Sequence, residues 1–468
     1  MFENEDDDAY SGELNSDVSR FEEMFNTQSY AYFDADRIEA VIDHLLVSSQ
    51  YKKAKWAAEN AFLHFPYNNL FLLRKAQAMS LSGELKEALS ILLKLDKIEK
   101  DNTDLLLTIA NCFSQLKDTD SSIRYFKKAI HVADQYEKGD IAIDLAMEYE
   151  NANNYNAAIE VLSKAMKEDP ENESIVYELA YCYDQVGKYE LSIECFLKYI
   201  DENPYSYTAW YNLANAYGRV KNYEKAIWAY DYCIVVNEDF SPAYYNLGNT
   251  YVNIDEQEKA IVCFEKCLEL DGEDAMVFCS LGECYEDLAR YEEAYDCYVK
   301  SSDLLPQLAD AWLGRGIVNT LRGDLVKAVS EFIVAIDLEP DNAAFYHAMG
   351  NALEDYGDIE QAVGMYRKGL QLDTVHDDLI IDYLKCLMDF DLLEMIKETM
   401  EDVYNLYRFN STRMCFIAAL WQNNRRTDAL LILDELKQND PSLAKSLFLH
   451  FPSLKGSREL LDRIDDIE

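Results

Sequence analysis

Apolar residues return along this chain as two helical stripes separated by a polar turn, and the pair of stripes recurs at a fixed interval. With Tyr207 counted as position 1 of a 34-residue frame, Trp210, Leu213, Ala214 and Tyr217 stand at positions 4, 7, 8 and 11, and Ala226, Tyr230 and Cys233 at 20, 24 and 27. Spacings of three and four bring each set onto one face of a helix. Turn residues fall near positions 15 and 16, as in "VGKY", "VKNY" and "RGDL". The pattern predicts two helices folded back on each other. Such a hairpin cannot bury its apolar face alone, so neighbouring hairpins must stack.

The frame runs in both directions, with repeats starting at Ala35, Asn69, Thr103, Gly139, Glu173, Tyr207, Ser241, Ala275, Ala309 and Ala343. The third is longer, at 36 residues, and its extra pair lies in "ADQYEK". Position 20 is Ala or Ser in all ten repeats, and position 8 is Ala or Gly in all but the first, which has Ile42. Small residues there let the two backbones approach closely, and a bulky residue at position 20 would overpack the crossing at a cost of roughly 1–3 kcal/mol. Five of the eight prolines (Pro66, Pro170, Pro204, Pro306 and Pro340) occupy position 32. Proline cannot continue the second helix, so it separates one hairpin from the next.

These residues resemble the tetratricopeptide repeat: Trp210-x2-Leu213-Ala214-x2-Tyr217, followed by Ala226-x3-Tyr230, meets its signature. The resemblance implies an all-α superhelical solenoid of about twelve helical hairpins. Ten clear repeats lie within 28–376, and 377–443 reads as two divergent repeats, with Ile396 at position 20 of the first. Residues 444–468 read as C-terminal capping helices, which a solenoid needs over its last apolar face. Residues 1–27 read as an acidic tail, disordered at its start, with a short amphipathic segment carrying Val18, Phe21, Met24 and Phe25.

Charge narrows the partners. The chain has 87 acidic against 43 basic residues, a formal net charge of −44. That field repels phosphate backbones and anionic lipid surfaces and attracts basic proteins. The opening "MFENEDDDAY" lacks the basic and apolar stretches of a secretory signal, and no run is long enough to span a membrane, so a cytoplasmic location is expected. An odd count of 11 cysteines fits a reducing compartment.

A search for catalytic or cofactor chemistry ends without a candidate. Cys263, Cys267, Cys279 and Cys284 lie close in sequence, but Cys112, Cys182, Cys284 and Cys386 share position 10, and Cys195, Cys263 and Cys297 share position 23. Those are packing positions, where a free cysteine serves as a small hydrophobe; Cys279 and Cys415, at position 5, point elsewhere. The six histidines form no metal-binding or general-base spacing, and "LGRGIVN" lacks the third glycine of a dinucleotide loop. Arg315 stands at position 7, where most repeats have Leu, and reads as a structural variant. Neither metal, cofactor nor enzymatic activity is expected.

The family resemblance further implies that positions 2, 5, 6, 9, 12 and 13 of the first helices face a concave groove. Three consecutive repeats place Tyr177, Tyr211 and Tyr245 at position 5. Asn212 and Asn246 stand at position 6, Tyr181, Asn215 and Asn249 at position 9, and Arg219 and Asn253 at position 13. Amides both donate and accept, so a ladder of them suits an extended peptide backbone, while tyrosines add flat contact area. The equal alternative is that these residues are the ordinary wording of the repeat. Asn212 and Asn246 match the asparagine ladder of O-linked N-acetylglucosamine transferases, over two rungs only. A clamp for C-terminal carboxylates is not expected, because Tyr211, Met276 and Ser280 stand where it needs Lys or Arg. Acids such as Glu39, Asp43, Glu283, Glu286 and Glu354 fit either the general acidity of the chain or a lane for basic segments. The expected function is a non-catalytic protein-interaction scaffold or adaptor binding a segment of another protein in the groove. The alternative is a regulatory or substrate-presenting subunit of an enzyme assembly.

Overall fold

The computed structural model describes residues 3–27, 32–373, 377–390, 410–422 and 424–465. Among these, all regular structure is helical, and successive helices pair as hairpins at the expected period. The all-α repeat architecture expected from the spacing is what forms.

The chain divides into two compact units, Met1–Val236 and Asn237–Glu468. In the first, six hairpins follow an N-terminal helix; they run from Ala35–Val47 with Tyr51–His64 to Tyr207–Arg219 with Tyr223–Val236. In the second, four hairpins run from Ser241–Val252 with Gln257–Asp271 to Ala343–Tyr356 with Ile359–Leu372. Helix Asp377–Asp389 follows, then the hairpin Asn410–Gln422 with Arg426–Asn439, and finally Pro441–His450, a short 3-10 turn and Arg458–Asp465. Ile396 lies outside the described residues, and so does the side chain of Cys415.

Each conserved spacing has a physical partner. All ten position-20 residues, from Ala54 to Ala362, are fully buried. At position 8, a Cβ added to Gly248, Gly282, Gly316 or Gly350 would meet the ring at position 24 of the same hairpin (Phe264, Tyr298, Phe332 or Tyr366) at 2.7, 2.6, 2.6 and 2.6 Å. The first repeat inverts this pairing, with Ile42 at position 8 and Ala58 at position 24, both fully buried. One large and one small residue fill the same space in either order. The position-32 prolines serve the following helix too. Trp210 and Trp312 donate their indole N–H to the carbonyls of Pro204 and Pro306 at 2.9 and 3.0 Å, and the Tyr346 hydroxyl donates to that of Pro340 at 3.2 Å.

Turns are equally regular. Position 15 has positive φ in all ten repeats, with glycine at Gly83, Gly187, Gly323 and Gly357 and other residues elsewhere, such as Lys117 and Asn153. The sequence marks this turn only weakly because six of the ten residues there are not glycine. Asp or Asn at position 16 caps several second helices: Asp118, Asn154, Asp324 and Asp358 each accept a backbone N–H from three residues on.

The stretch expected to be disordered at its start is instead helical from Glu3 to Thr27. Its second half anchors it. Phe21 and Met24 are buried with Val41, Ile42 and Ala58, Asp17 pairs with Arg37 at 2.6 Å, and Glu22 pairs with Lys53 at 2.6 Å. Once that half is fixed, extending the helix toward the N-terminus adds one hydrogen bond per residue ordered. At the other end Ala444, Leu447, Phe451, Leu454, Leu460 and Ile464 close the last apolar cluster.

Candidate functional site

In the first unit three successive hairpins have the first helices Lys138–Asn151, Glu173–Gln185 and Tyr207–Arg219, and the second and third of these carry the candidates read from the sequence. The first two touch directly. The second and third are pinned at both ends. At one end Glu173 accepts from the hydroxyls of Tyr177, Ser206 (3.0 Å) and Thr208 (2.5 Å); at the other Arg219 pairs with Asp184. Burial raises the pKa of Glu173, but these three hydroxyl donors outweigh it and hold the carboxyl below its ordinary value. Burial and the same carboxylate push the Tyr177 hydroxyl far up, so it acts as a donor.

Several candidates are thus engaged within the protein. Tyr177 also packs on Phe196 at 5.8 Å, and Tyr211 on Tyr230 at 6.1 Å. Asn212 donates to the backbone carbonyl of Thr208 at 2.9 Å, one turn back in its own helix. Asn215 accepts from the Tyr230 hydroxyl at 2.5 Å. That last contact follows a rule of the repeat. Where position 24 is tyrosine, its hydroxyl reaches position 9 or 12 of the first helix, as Tyr298 reaches Glu286 at 2.9 Å and Tyr366 reaches Asn351 at 2.7 Å and Glu354 at 2.6 Å.

Arg219 and Gln185 are exposed at the end of this face, and two apolar residues are exposed within it. Tyr181 is 44% exposed, packed edge-on against Tyr155 at 6.4 Å, and Met147, at the same position of the preceding hairpin, is 49% exposed. Met147 was missed by sequence reasoning, because the search followed amides and tyrosines. Its signal was available: an apolar residue at position 9, off the packing stripe.

The second unit holds the remaining candidates. Tyr245 packs on Phe264 at 5.7 Å. Phe264 has no hydroxyl, so Asn249 lacks the bond that Asn215 receives from Tyr230. Asn253 closes the end of its helix, donating to the carbonyl of Asn249 at 2.8 Å, and Asn246 is half-buried.

The acids divide similarly. In the first unit Arg74 serves Asp43 at 2.7 Å, Asp104 at 3.5 Å and Glu39 at 3.7 Å. In the second unit Glu283 is pushed up by burial first and then by Asp310, Glu286 and Asp287. Burial likewise raises Glu286, although the Tyr298 hydroxyl opposes it. Two readings are revised. Glu286 and Glu354 are internal acceptors for tyrosines, and Cys279, expected to point away from the core, is buried beside Ala294, Tyr298 and Ala311. Among the described residues no group of three or more His, Cys, Asp or Glu is placed to hold a metal ion, and no helix is long and apolar enough to cross a membrane.

Comparison with protein families finds tetratricopeptide repeat models matching residues 103–136, 241–274 and 277–307. A model described as anaphase-promoting complex, cyclosome, subunit 3 matches 151–233. A search of curated proteins finds no match. Similar solved structures include YrrB, described as a repeat protein of this kind with an unusual peptide-binding site. It is 26% identical over 39% of this chain and 95% of that one, with a TM-score of 0.34. A tetratricopeptide repeat protein from Parabacteroides merdae is 18% identical over 53% of this chain and 98% of its own, with a TM-score of 0.44.

Proposed function

We infer from this chain's being a tetratricopeptide repeat protein that it works as a non-catalytic scaffold or adaptor, holding a segment of another protein against its first helices. The observation that carries the reading is the solvent-open pair Met147 and Tyr181 on helices locked side by side. Exposed apolar area on a pre-ordered surface binds without a large ordering cost. Methionine adapts to differently shaped side chains, and tyrosine adds contact at low entropic cost. The amide of Asn212 in the first unit, and separately those of Asn246 and Asn249 in the second, supply hydrogen bonds to a bound backbone. In the second unit, the crowded carboxylates around Glu283 favour a basic segment, whose charge relieves their mutual repulsion.

A second reading, a non-catalytic subunit of a larger assembly, is supported by the match of residues 151–233 to a model named for a complex subunit. Photo-crosslinking tests the first reading. A benzophenone side chain at position 181 should capture a partner that one at position 262, on the exposed side of a second helix, does not. Equal capture at both positions refutes the surface assignment. Sizing the purified complex separates a scaffold bound to single segments from a stoichiometric subunit.

A further inference from the structure

The longer third repeat makes a feature of its own. Elsewhere four residues commonly join one hairpin to the next, as between Glu168 and Glu173 or Glu202 and Tyr207. Here Ala133–Glu137 makes five, and the following helix starts one residue early, at Lys138. Asp134 stands at position 32, where proline is commonest, and its carboxylate accepts the backbone N–H groups of Tyr136 and Glu137, each at 2.9 Å. This turn borders a cleft of about 400 Å³ between the helices Thr119–Val132, Lys138–Asn151 and Tyr155–Glu168.

The cleft is basic within a strongly acidic chain. Lys127, Lys138, Lys164 and His131 line it, over an apolar floor that includes Ile130 and Val161. Among the described residues none of the three ammonium groups has a carboxylate oxygen within 4.0 Å. Neighbouring lysines do: Lys128 pairs with Asp96 at 3.7 Å and Lys75 with Glu59 at 3.0 Å. Glu168 and Asp169 also border the cleft, so with His131 neutral the lining sets three cations against two carboxylates, a formal balance of +1 within a chain of −44. Lys127 is held 5.4 Å from the Tyr149 ring, which orients it. Three unpaired cations around an apolar floor of this volume match one apolar side chain with carboxylates beside it.

We propose that this cleft binds an acidic peptide segment, with an apolar side chain seated on Ile130 and Val161 and its carboxylates on Lys127, Lys138 and Lys164. The site lies at the hairpin junction, apart from the face of Met147 and Tyr181, and does not depend on that reading.

The test is fluorescence anisotropy of labelled peptides with the full chain. A peptide with leucine between aspartate pairs should bind, and its lysine counterpart should not bind at this cleft. Lys127→Glu with Lys164→Glu should weaken the acidic peptide by about tenfold or more. Lys52→Glu with Lys86→Glu changes net charge equally and should leave affinity within about twofold at moderate salt, because neither residue lines the cleft. Circular dichroism checks that helicity is retained. Equal weakening by both pairs, or no binding of the acidic peptide, overturns the proposal. Complete displacement by millimolar inorganic phosphate also overturns it, in favour of a simple anion site.

Discussion

The inverted pair in the first repeat makes the sharpest claim about what holds a hairpin together. If positions 8 and 24 fill one shared space, Ile42→Ala and Ala58→Phe should each destabilise, and together they should largely compensate. Ile42 is fully buried, and the change to alanine removes three carbons. At about 0.8 kcal/mol per buried methylene this is roughly 2.4 kcal/mol before any cavity cost, within the 2–5 kcal/mol usual for such truncations. Ala58 is also fully buried, so phenylalanine alone overpacks by about 1–3 kcal/mol. The double variant recreates the pairs Ala110 with Phe126 and Ala180 with Phe196 that the same fold already contains. A coupling of about 2 kcal/mol is expected between the two sites. Long repeat arrays need not unfold in one step, so a global midpoint is a blunt instrument. Hydrogen exchange of the amides in Ala35–Val47 and Tyr51–His64 reads the local stability directly. Additive losses in the double variant would falsify the shared-space explanation.

Three further outcomes are expected. Glu331, buried in the second unit, accepts from Arg315 at 2.9 Å, Asn319 at 2.6 Å and Tyr295 at 3.2 Å. Glu331→Ala strands the guanidinium and should cost about 3–5 kcal/mol, whereas Arg315→Leu with Glu331→Leu should cost only about 1–3 kcal/mol, the penalty for the buried Asn319 amide left without its acceptor; urea unfolding compares them, and equal losses would refute the argument. Burial and neighbouring acids raise Glu283, so the folded state takes up its proton more readily than the unfolded chain. Its contribution to stability grows as pH falls from neutral through that raised value and levels off below the ordinary carboxylate pKa of about 4.3. Glu283→Gln should therefore be more stable at neutral pH and gain less on acidification, and an unchanged pH profile would contradict this. Asn212→Ala with Asn246→Ala should weaken partner binding by roughly 1–3 kcal/mol, since each hydrogen bond is worth about 0.5–1.5; calorimetry with unchanged affinity and intact helicity removes the amides from the surface.

The helical hairpins, their number through the clear repeats and their small crossing residues were all legible in the sequence. The reason is physical: each unit packs against its neighbour in the same way, so the packing constraint recurs at the same spacing and accumulates over ten copies. Position 20 and the position-32 prolines carry that signal without any coordinates. Polar partners that depend on a variable position do not repeat in this way. Asn215 and Asn249 occupy the same position in almost identical words, yet only Asn215 meets a hydroxyl, because position 24 is Tyr230 in one hairpin and Phe264 in the other. Whether a residue at position 9 of a first helix stays open depends on the ring carried at position 24 of the second helix. The tertiary structure alone decided that Glu286 and Glu354 serve tyrosines, that Arg74 is shared among three acids, and that Met147 and Tyr181 keep apolar surface in solvent. It also turned the two added residues, visible in the sequence only as a longer repeat, into the border of a basic cleft. Periodicity records the contacts that every hairpin must make; the contacts that differ between hairpins are set by side chains brought together from separate helices.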